Sequence, residues 1–117
     1  MPIHFNIQHF ESIDSTNKEA MRQAIKGADE GLVVIADEQS EGKGRLGRKW
    51  HTINHGLAMT ILLRPNLQAT DVPKMSLLTA VALHEALSTF TPDIGIKWPN
   101  DLLINGNKVS GILTEMR

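Results

Sequence analysis

The sequence predicts an α+β fold, a mixed and mostly antiparallel sheet with helices on one face. Three observations predict it: two segments with apolar residues at helical spacing, several short strand-like runs, and the order strand, helix, strand, strand, helix, then hairpins.

Residues 3–13 set Ile3, Phe5, Ile7 and Phe10 in near alternation with polar neighbours, the pattern of a half-buried strand. Thr16, with Glu19 three residues later, has the form of a capping box. Ala20, Met21, Ala24 and Ile25 then follow at helical spacing until Gly27, so a helix is expected over about 17–26. The apolar run 32–36 reads as a buried strand that delivers its end to the polar segment 37–40. Residues 41–56 have no usable period and read as a long loop, the kind that is usually functional or disordered in a compact domain.

The apolar run 56–63 is suited to a central strand and is broken by Pro65. Pro73 opens a strongly predicted helix, with Met75, Leu78, Val81, Ala82 and Leu87 as its apolar stripe and Pro92 beyond its end. Residues 94–98 and 102–104 read as strands around Pro99 and Asn100. In the first of them Ile94, Ile96 and Trp98 alternate with Gly95 and Lys97, which sets Lys97 on the face opposite the apolar residues. Asn105-Gly106 is a hairpin turn into a last strand at 109–116, an apolar element that wants a further strand beside it.

With 117 residues, the chain is one domain or part of one. Twelve Lys and Arg against 13 Asp and Glu create no global field toward nucleic acid or membrane, so any basic site is local. The absence of cysteine excludes disulfides and thiolate metal sites. Neither a leader-like N-terminus nor an 18-residue apolar run is present, and the expectation is a soluble, cytoplasmic protein with no nucleic-acid or membrane partner.

Three constellations carry chemistry. Gly42-Lys43-Gly44-Arg45-Leu46-Gly47 satisfies G-x-G-x-x-G, but no helix opens within it and Leu67 stands where a dinucleotide site needs an acidic residue. Gly42 and Gly47 also have P-loop spacing, yet Arg48 and Lys49 replace the Lys and the hydroxyl that would meet Mg²⁺. What remains is a glycine-rich backbone with four cations, Lys43, Arg45, Arg48 and Lys49, which suits phosphate or carboxylate and equally suits a solvated basic loop or a nucleic-acid patch. The second is Lys97-Trp98-Pro99-Asn100-Asp101, followed by Lys108-Val109-Ser110-Gly111-Ile112-Leu113; alone, it is an exposed strand lysine and a turn. The third, Asp14-Ser15-Thr16-Asn17, is also what a helix N-terminus uses anyway.

In order and separation, these blocks together with Gln39 and Trp50 resemble biotin protein ligases, over nearly the whole chain from Glu11 onward. The resemblance implies the biotin/lipoate ligase fold, similar to class II aminoacyl-tRNA synthetases. It identifies residues 1–117 as an N-terminal portion of the catalytic domain. It implies ATP-dependent formation of biotinyl-5′-AMP, with Mg²⁺, and transfer of biotin to a lysine of a biotin carboxyl carrier protein. Ser15, Thr16, Asn17 and Gln39 match residues at the biotin head group. Gly42, Lys43, Gly44 and Arg45 match the loop that folds over the adenylate, with Trp50 and Trp98 as candidate cavity walls. Lys97 and Arg45 match the groups expected to act on the reacting anions. No carboxylate pair marks a metal site, and Asp101 is only a candidate for Mg²⁺.

Two departures stand out. Many relatives carry Arg where this chain has Lys43, which exchanges bidentate geometry for a point charge. The family domain also continues past the position matching Arg117, so truncation is expected, with doubtful activity for these 117 residues alone and a homodimer possible through the unfinished sheet edge. The stretch before Ser12 has no room for a DNA-binding helix-turn-helix, which favours a monofunctional ligase. A non-catalytic biotin-binding fragment and a lipoate ligase are the alternatives.

Overall fold

The computed structural model describes residues 2–52 and 56–117. It contains two compact units, Met1–Pro65 and Asn66–Arg117, each with its own three-stranded sheet and its own long helix.

In the first unit β1 (Asn6–Ile13) leads through helix α1 (Thr16–Ile25) into β2 (Leu32–Gln39), which pairs parallel with β1 and antiparallel with β3 (Ala58–Ile61). β2 is therefore the central strand, and β3 lies at the edge of this three-stranded set. The continuous apolar run in β2, with Leu32, Val33, Val34 and Ala36 all buried, fits a strand covered on both faces. Ala20 of α1 packs with Leu32 and Val34, and Phe10, Ala28 and Leu62 close around them.

Several expectations change here. Of the apolar residues expected in the first strand, only Phe10 joins the core; Ile3, Phe5 and Ile7 are exposed, because Phe10 alternates onto the helix-facing side and the odd-numbered residues onto the other. The cap of α1 is Ser15, one residue earlier than the expected Thr16. Its Oγ accepts from the Lys18 N–H at 3.3 Å, and the residue four before Glu19 supplies the first helical carbonyl. The stop at Gly27 holds: its φ of +95° lets its N–H reach Ala24 O while Ala28 N–H reaches Gln23 O, a Schellman ending. Arg64 adds a cation at that end, donating to the carbonyls of Ala24 and Ala28.

In the second unit α2 (Lys74–Ser88) packs against β4 (Ile94–Lys97) and β5 (Asp101–Ile104), and β5 continues into β6 (Asn107–Gly111) through a turn with Asn105 and Gly106 both at positive φ. All pairings here are antiparallel. The helix forms where expected, but its inner face only in part: of the expected stripe Met75 and Leu87 are partly buried while Leu78, Val81 and Ala82 are exposed, and Ala80 is fully buried with Leu83 and His84 partly so. With apolar residues around much of α2, periodicity did not single out the buried side. His84 Nε2 lies 3.0 Å from Ile94 O and ties the helix to β4. Ile94 is buried, but Ile96 and Trp98 are exposed, so the expected apolar face of β4 closes only at its start. The last strand ends at Gly111 rather than running to 116, and its edge carries Lys108, which blunts the expected unpaired apolar strand.

Candidate active site

Because β1 and β2 run parallel with Ile13 opposite Gln39, their C-terminal ends finish side by side. Ser40 N–H donates to Ile13 O at 3.0 Å, and Glu41 N–H to Asp14 O at 2.7 Å. The chain leaving β1 becomes the first turn of α1 and the chain leaving β2 becomes the glycine-rich loop, so topology brings the Asp14–Asn17 block and Gln39 together.

Gln39 Oε1 accepts from both Thr16 N–H (2.9 Å) and Thr16 Oγ1 (3.3 Å). A backbone N–H only donates, which fixes the orientation of the amide: Oε1 toward Thr16, Nε2 away, where it reaches Thr52 Oγ1 at 3.3 Å. Thr60 on β3 completes the cluster, its hydroxyl 2.8 Å from Thr16 Oγ1 and hydrogen-bonded to Asn17 Oδ1. Ser15 and Thr16 are buried; Asn17, Gln39 and Thr60 are half-buried. Ser15 Oγ accepts from the helix and keeps a hydroxyl proton to donate.

Beside the cluster, the Asp14 carboxylate is gripped by Arg22 through two 2.8 Å bonds and also accepts from Ser15 N–H at 2.7 Å. The Arg22 guanidinium, helped by that N–H, holds the Asp14 carboxyl well below the usual carboxylate range. Glu19 is lowered by bonding from Gln23 and then Arg22. Lys18 Nζ meets Glu41 Oε2 at 2.7 Å, a bond that raises the lysine and ties α1 to the start of the loop.

Within the expected long loop, residues 42–50 form a small hairpin. Lys43 bridges Lys49, Gly44 N–H donates to Arg48 O at 2.6 Å, and Trp50 N–H to Gly42 O at 2.9 Å. A single 3₁₀ turn at Arg45–Gly47 forms the tip, with Leu46 (φ 60°) and Gly47 (φ 73°) both left-handed. Gly42 is buried at its base, where an added Cβ would come within 2.4 Å of Trp50 O and 3.0 Å of Gln39 Nε2. Lys43, Arg45, Arg48 and Lys49 are exposed and Trp50 is half-buried. Positions 53–55, within the expected loop, lie outside the described residues.

Lys97 and Trp98 belong to the second unit. Lys97 is the exposed last residue of β4, opposite Asp101. Trp98–Pro99 is a cis peptide. Asn100 exchanges bonds with Ile112, its Nδ2 donating to Ile112 O and its O accepting from Ile112 N–H, both at 2.9 Å. Asp101 pairs with Lys108 at 3.2 Å. Among the described residues no three His, Asp or Glu gather as a metal site, and no helix is long and apolar enough to cross a membrane.

Sequence reasoning missed Thr60, Thr52 and the Arg22 grip on Asp14. Thr60 had a signal: it is the one hydroxyl inside the apolar run from Ala58 to Leu63.

Comparison with known proteins places the chain in a family. The bifunctional ligase/repressor BirA of Bacillus spizizenii is 44% identical over 107 residues, covering 90% of this chain and 33% of the relative. The biotin--[acetyl-CoA-carboxylase] ligase of Paracoccus denitrificans is 43% identical over 105 residues, covering 87% and 43%. The chain thus spans a third to two-fifths of these relatives' length. Among solved structures, the biotin protein ligase from Aquifex aeolicus in complex with biotin and ATP superposes with a TM-score of 0.80 at 34% identity, covering 95% of this chain and 47% of that one. The enzyme from Leishmania major with biotinyl-5-AMP gives 0.79 at 27% identity, covering 96% and 52%. The sequence model of the Biotin/lipoate A/B protein ligase family matches residues 9–117, and the chain belongs to that family.

Proposed function

We propose that this chain supplies the biotin-recognition cluster and the phosphate-facing loop of a biotin protein ligase. The observation that carries the reading is the adjoining of two unlike parts: a hydroxyl and amide cluster built on Thr16, Asn17, Gln39 and Thr60, and a hairpin bearing four exposed cations that starts three residues after Gln39. The first suits a neutral, polar ureido ring in a partly apolar pocket. The second suits a carboxylate and phosphates.

In the first step a biotin carboxylate oxygen attacks the α-phosphorus of ATP and pyrophosphate leaves. In the second, the neutral amine of an acceptor lysine on a biotin carboxyl carrier protein attacks the acyl carbon, AMP leaves, and the amine gives up a proton. Ser15 donates its hydroxyl proton to the ureido oxygen, and Gln39 and Asn17 complete the ring's polar contacts. Arg45 and Lys43 offset the charge of carboxylate and phosphate and keep water from the anhydride. Lys97 lowers the repulsion between the two reacting anions and stabilises charge on the α-phosphoryl group. Trp50 lines the cavity at the hairpin base.

Mg²⁺ accompanies ATP, and the residues fit a cation held mainly by phosphates and water rather than by a protein cage. It offsets phosphate charge when bound. Asp101, the candidate from sequence, already engages Lys108.

A second reading, biotin binding without catalysis, rests on the hydroxyl and amide cluster alone, which offers hydrogen bonds to a ligand without taking part in bond making. Thermal unfolding with biotin, with biotin plus MgATP, and with lipoate separates the possibilities. A rise with biotin and a larger one with MgATP is expected; a rise with biotin and none further supports binding alone, and a preference for lipoate overturns the biotin assignment. Where adenylate forms, Lys97→Ala is expected to slow it on the order of 10²-fold or more. Wild-type rates in that variant would remove Lys97 from the chemistry.

A further inference from the structure

We propose that Thr60 is the positioning residue of the recognition cluster, holding Thr16 and Asn17 in the rotamers from which they meet a ligand. Its ligand rests on the biotin reading above; its positioning role does not.

Thr60 sits on β3 opposite Val34, on the same side of the strand as Ala58, and that side is covered by α1. Its hydroxyl is thereby aimed at the first turn of the helix, 2.8 Å from Thr16 Oγ1 and in hydrogen bond with Asn17 Oδ1. The neighbouring groups have less freedom to hold themselves. Thr16 gives its own hydroxyl proton to Gln39 Oε1, so what it still needs is a donor, and Thr60 is one. Asn17, at the second helical position, presents its side-chain carbonyl oxygen to the same hydroxyl. Thr60 has one proton and two acceptors within reach, so it serves them as a shared donor and keeps both side chains on the β3 side. A threonine suits this role because its β-branched side chain is stiff at χ1 and the pleat sets its direction.

The test compares wild type with Thr60→Val, which keeps the shape and removes the hydroxyl, with Thr60→Ala as a second deletion should the valine variant unfold, and with Thr60→Ser as the conservative rescue. Two readouts are taken. In the ligand-free chain, NMR couplings report the χ1 of Thr16 and the side-chain amide protons of Asn17. Rotamer averaging at both positions is expected in the deletion variants, with wild-type values restored by serine. In calorimetric titration, biotin affinity is expected to fall on the order of tenfold in the deletion variants and to return with serine. Unchanged Thr16 and Asn17 couplings in Thr60→Val overturn the proposal, as does a loss that serine fails to rescue, which would assign the effect to the methyl group. If wild type binds no biotin, the biotin reading falls while the couplings still decide the role of Thr60.

Discussion

The hydroxyl and amide cluster and the hairpin beside it are held together by different parts of the chain. In the cluster, side chains hold side chains: Gln39, Thr16, Thr60 and Asn17 come from three elements and each is oriented by another. In the hairpin the backbone holds itself, through Gly44–Arg48 and Gly42–Trp50 bonds, and the four cations project outward. A neutral ligand head is discriminated by hydrogen bonds of fixed geometry, which need a prebuilt site. In the reaction proposed above, phosphate and carboxylate charge changes between the two steps, and long cationic side chains on a short hairpin can follow it.

The sharpest way to break this comparison is to remove a hairpin charge and ask whether the loss is electrostatic. Arg45→Ala is expected to weaken binding of the biotinyl-adenylate on the order of 10²-fold and to flatten its dependence on salt, since a screened attraction has been deleted. Thr60→Val, a change in the cluster, should lower affinity with the salt dependence intact. Titrations from low to high ionic strength distinguish them. Equal salt dependence in wild type and Arg45→Ala would mean that the arginine does not act through charge and that the division of labour is false.

Gly42 is where the two regions meet, and its substitution should damage both. A Cβ there lies 2.4 Å from Trp50 O, a backbone atom that cannot yield cheaply, and 3.0 Å from the Gln39 amide. Gly42→Ala is expected to cost about 1–3 kcal/mol in stability, as overpacking does, and to weaken biotin binding through displaced Gln39. Denaturant unfolding and biotin titration check the two halves separately. A variant with wild-type stability would show that the hairpin base relaxes, and the two regions would then be less coupled than their contact implies.

Much of this was legible in the residues. The α+β order of elements, both helices, the Gly27 stop and the Asn105-Gly106 turn all follow from local signals that act within a few residues. What periodicity did not carry was partnership. The apolar run at 56–63 has the composition of a central strand, but among the described residues its strand β3 pairs with β2 alone, because neighbours are set by chain topology. The apolar spacing predicts that the stripe through Leu78 and Val81 faces inward, whereas Ala80, which lies off that stripe, is the buried position. The site blocks were found by resemblance, while Thr60 required the β2–β3 register to become visible. Thr16 shows the converse: its spacing from Glu19 predicts a cap, but Ser15 caps the helix, which leaves Thr16 for Gln39.

The smallest expected effect concerns the join between helix and loop in acid. Arg22 holds Asp14 ionised far below the value of about 3.9 that it has in the unfolded chain. A carboxyl depressed in the folded state contributes stability that is present above the unfolded value and lost as pH falls through the folded one. Glu19, lowered by Gln23 and Arg22, adds in the same direction. Lys18, raised by Glu41, has the opposite dependence: its contribution is complete below the unfolded lysine value and disappears only as pH rises through its raised folded value, so it leaves the acid branch unchanged. Arg22→Met should therefore lower stability slightly at neutral pH and flatten its decline below about pH 4, measured as unfolding midpoints against pH. Solvent exposure of the pair keeps the difference small. Parallel acid branches in the two proteins would place the acid sensitivity elsewhere. A flattened branch with biotin binding unimpaired at neutral pH would show that the Asp14–Arg22 grip stabilises the start of α1 without orienting Ser15 and Thr16, a task then left to the helix cap, Gln39 and Thr60.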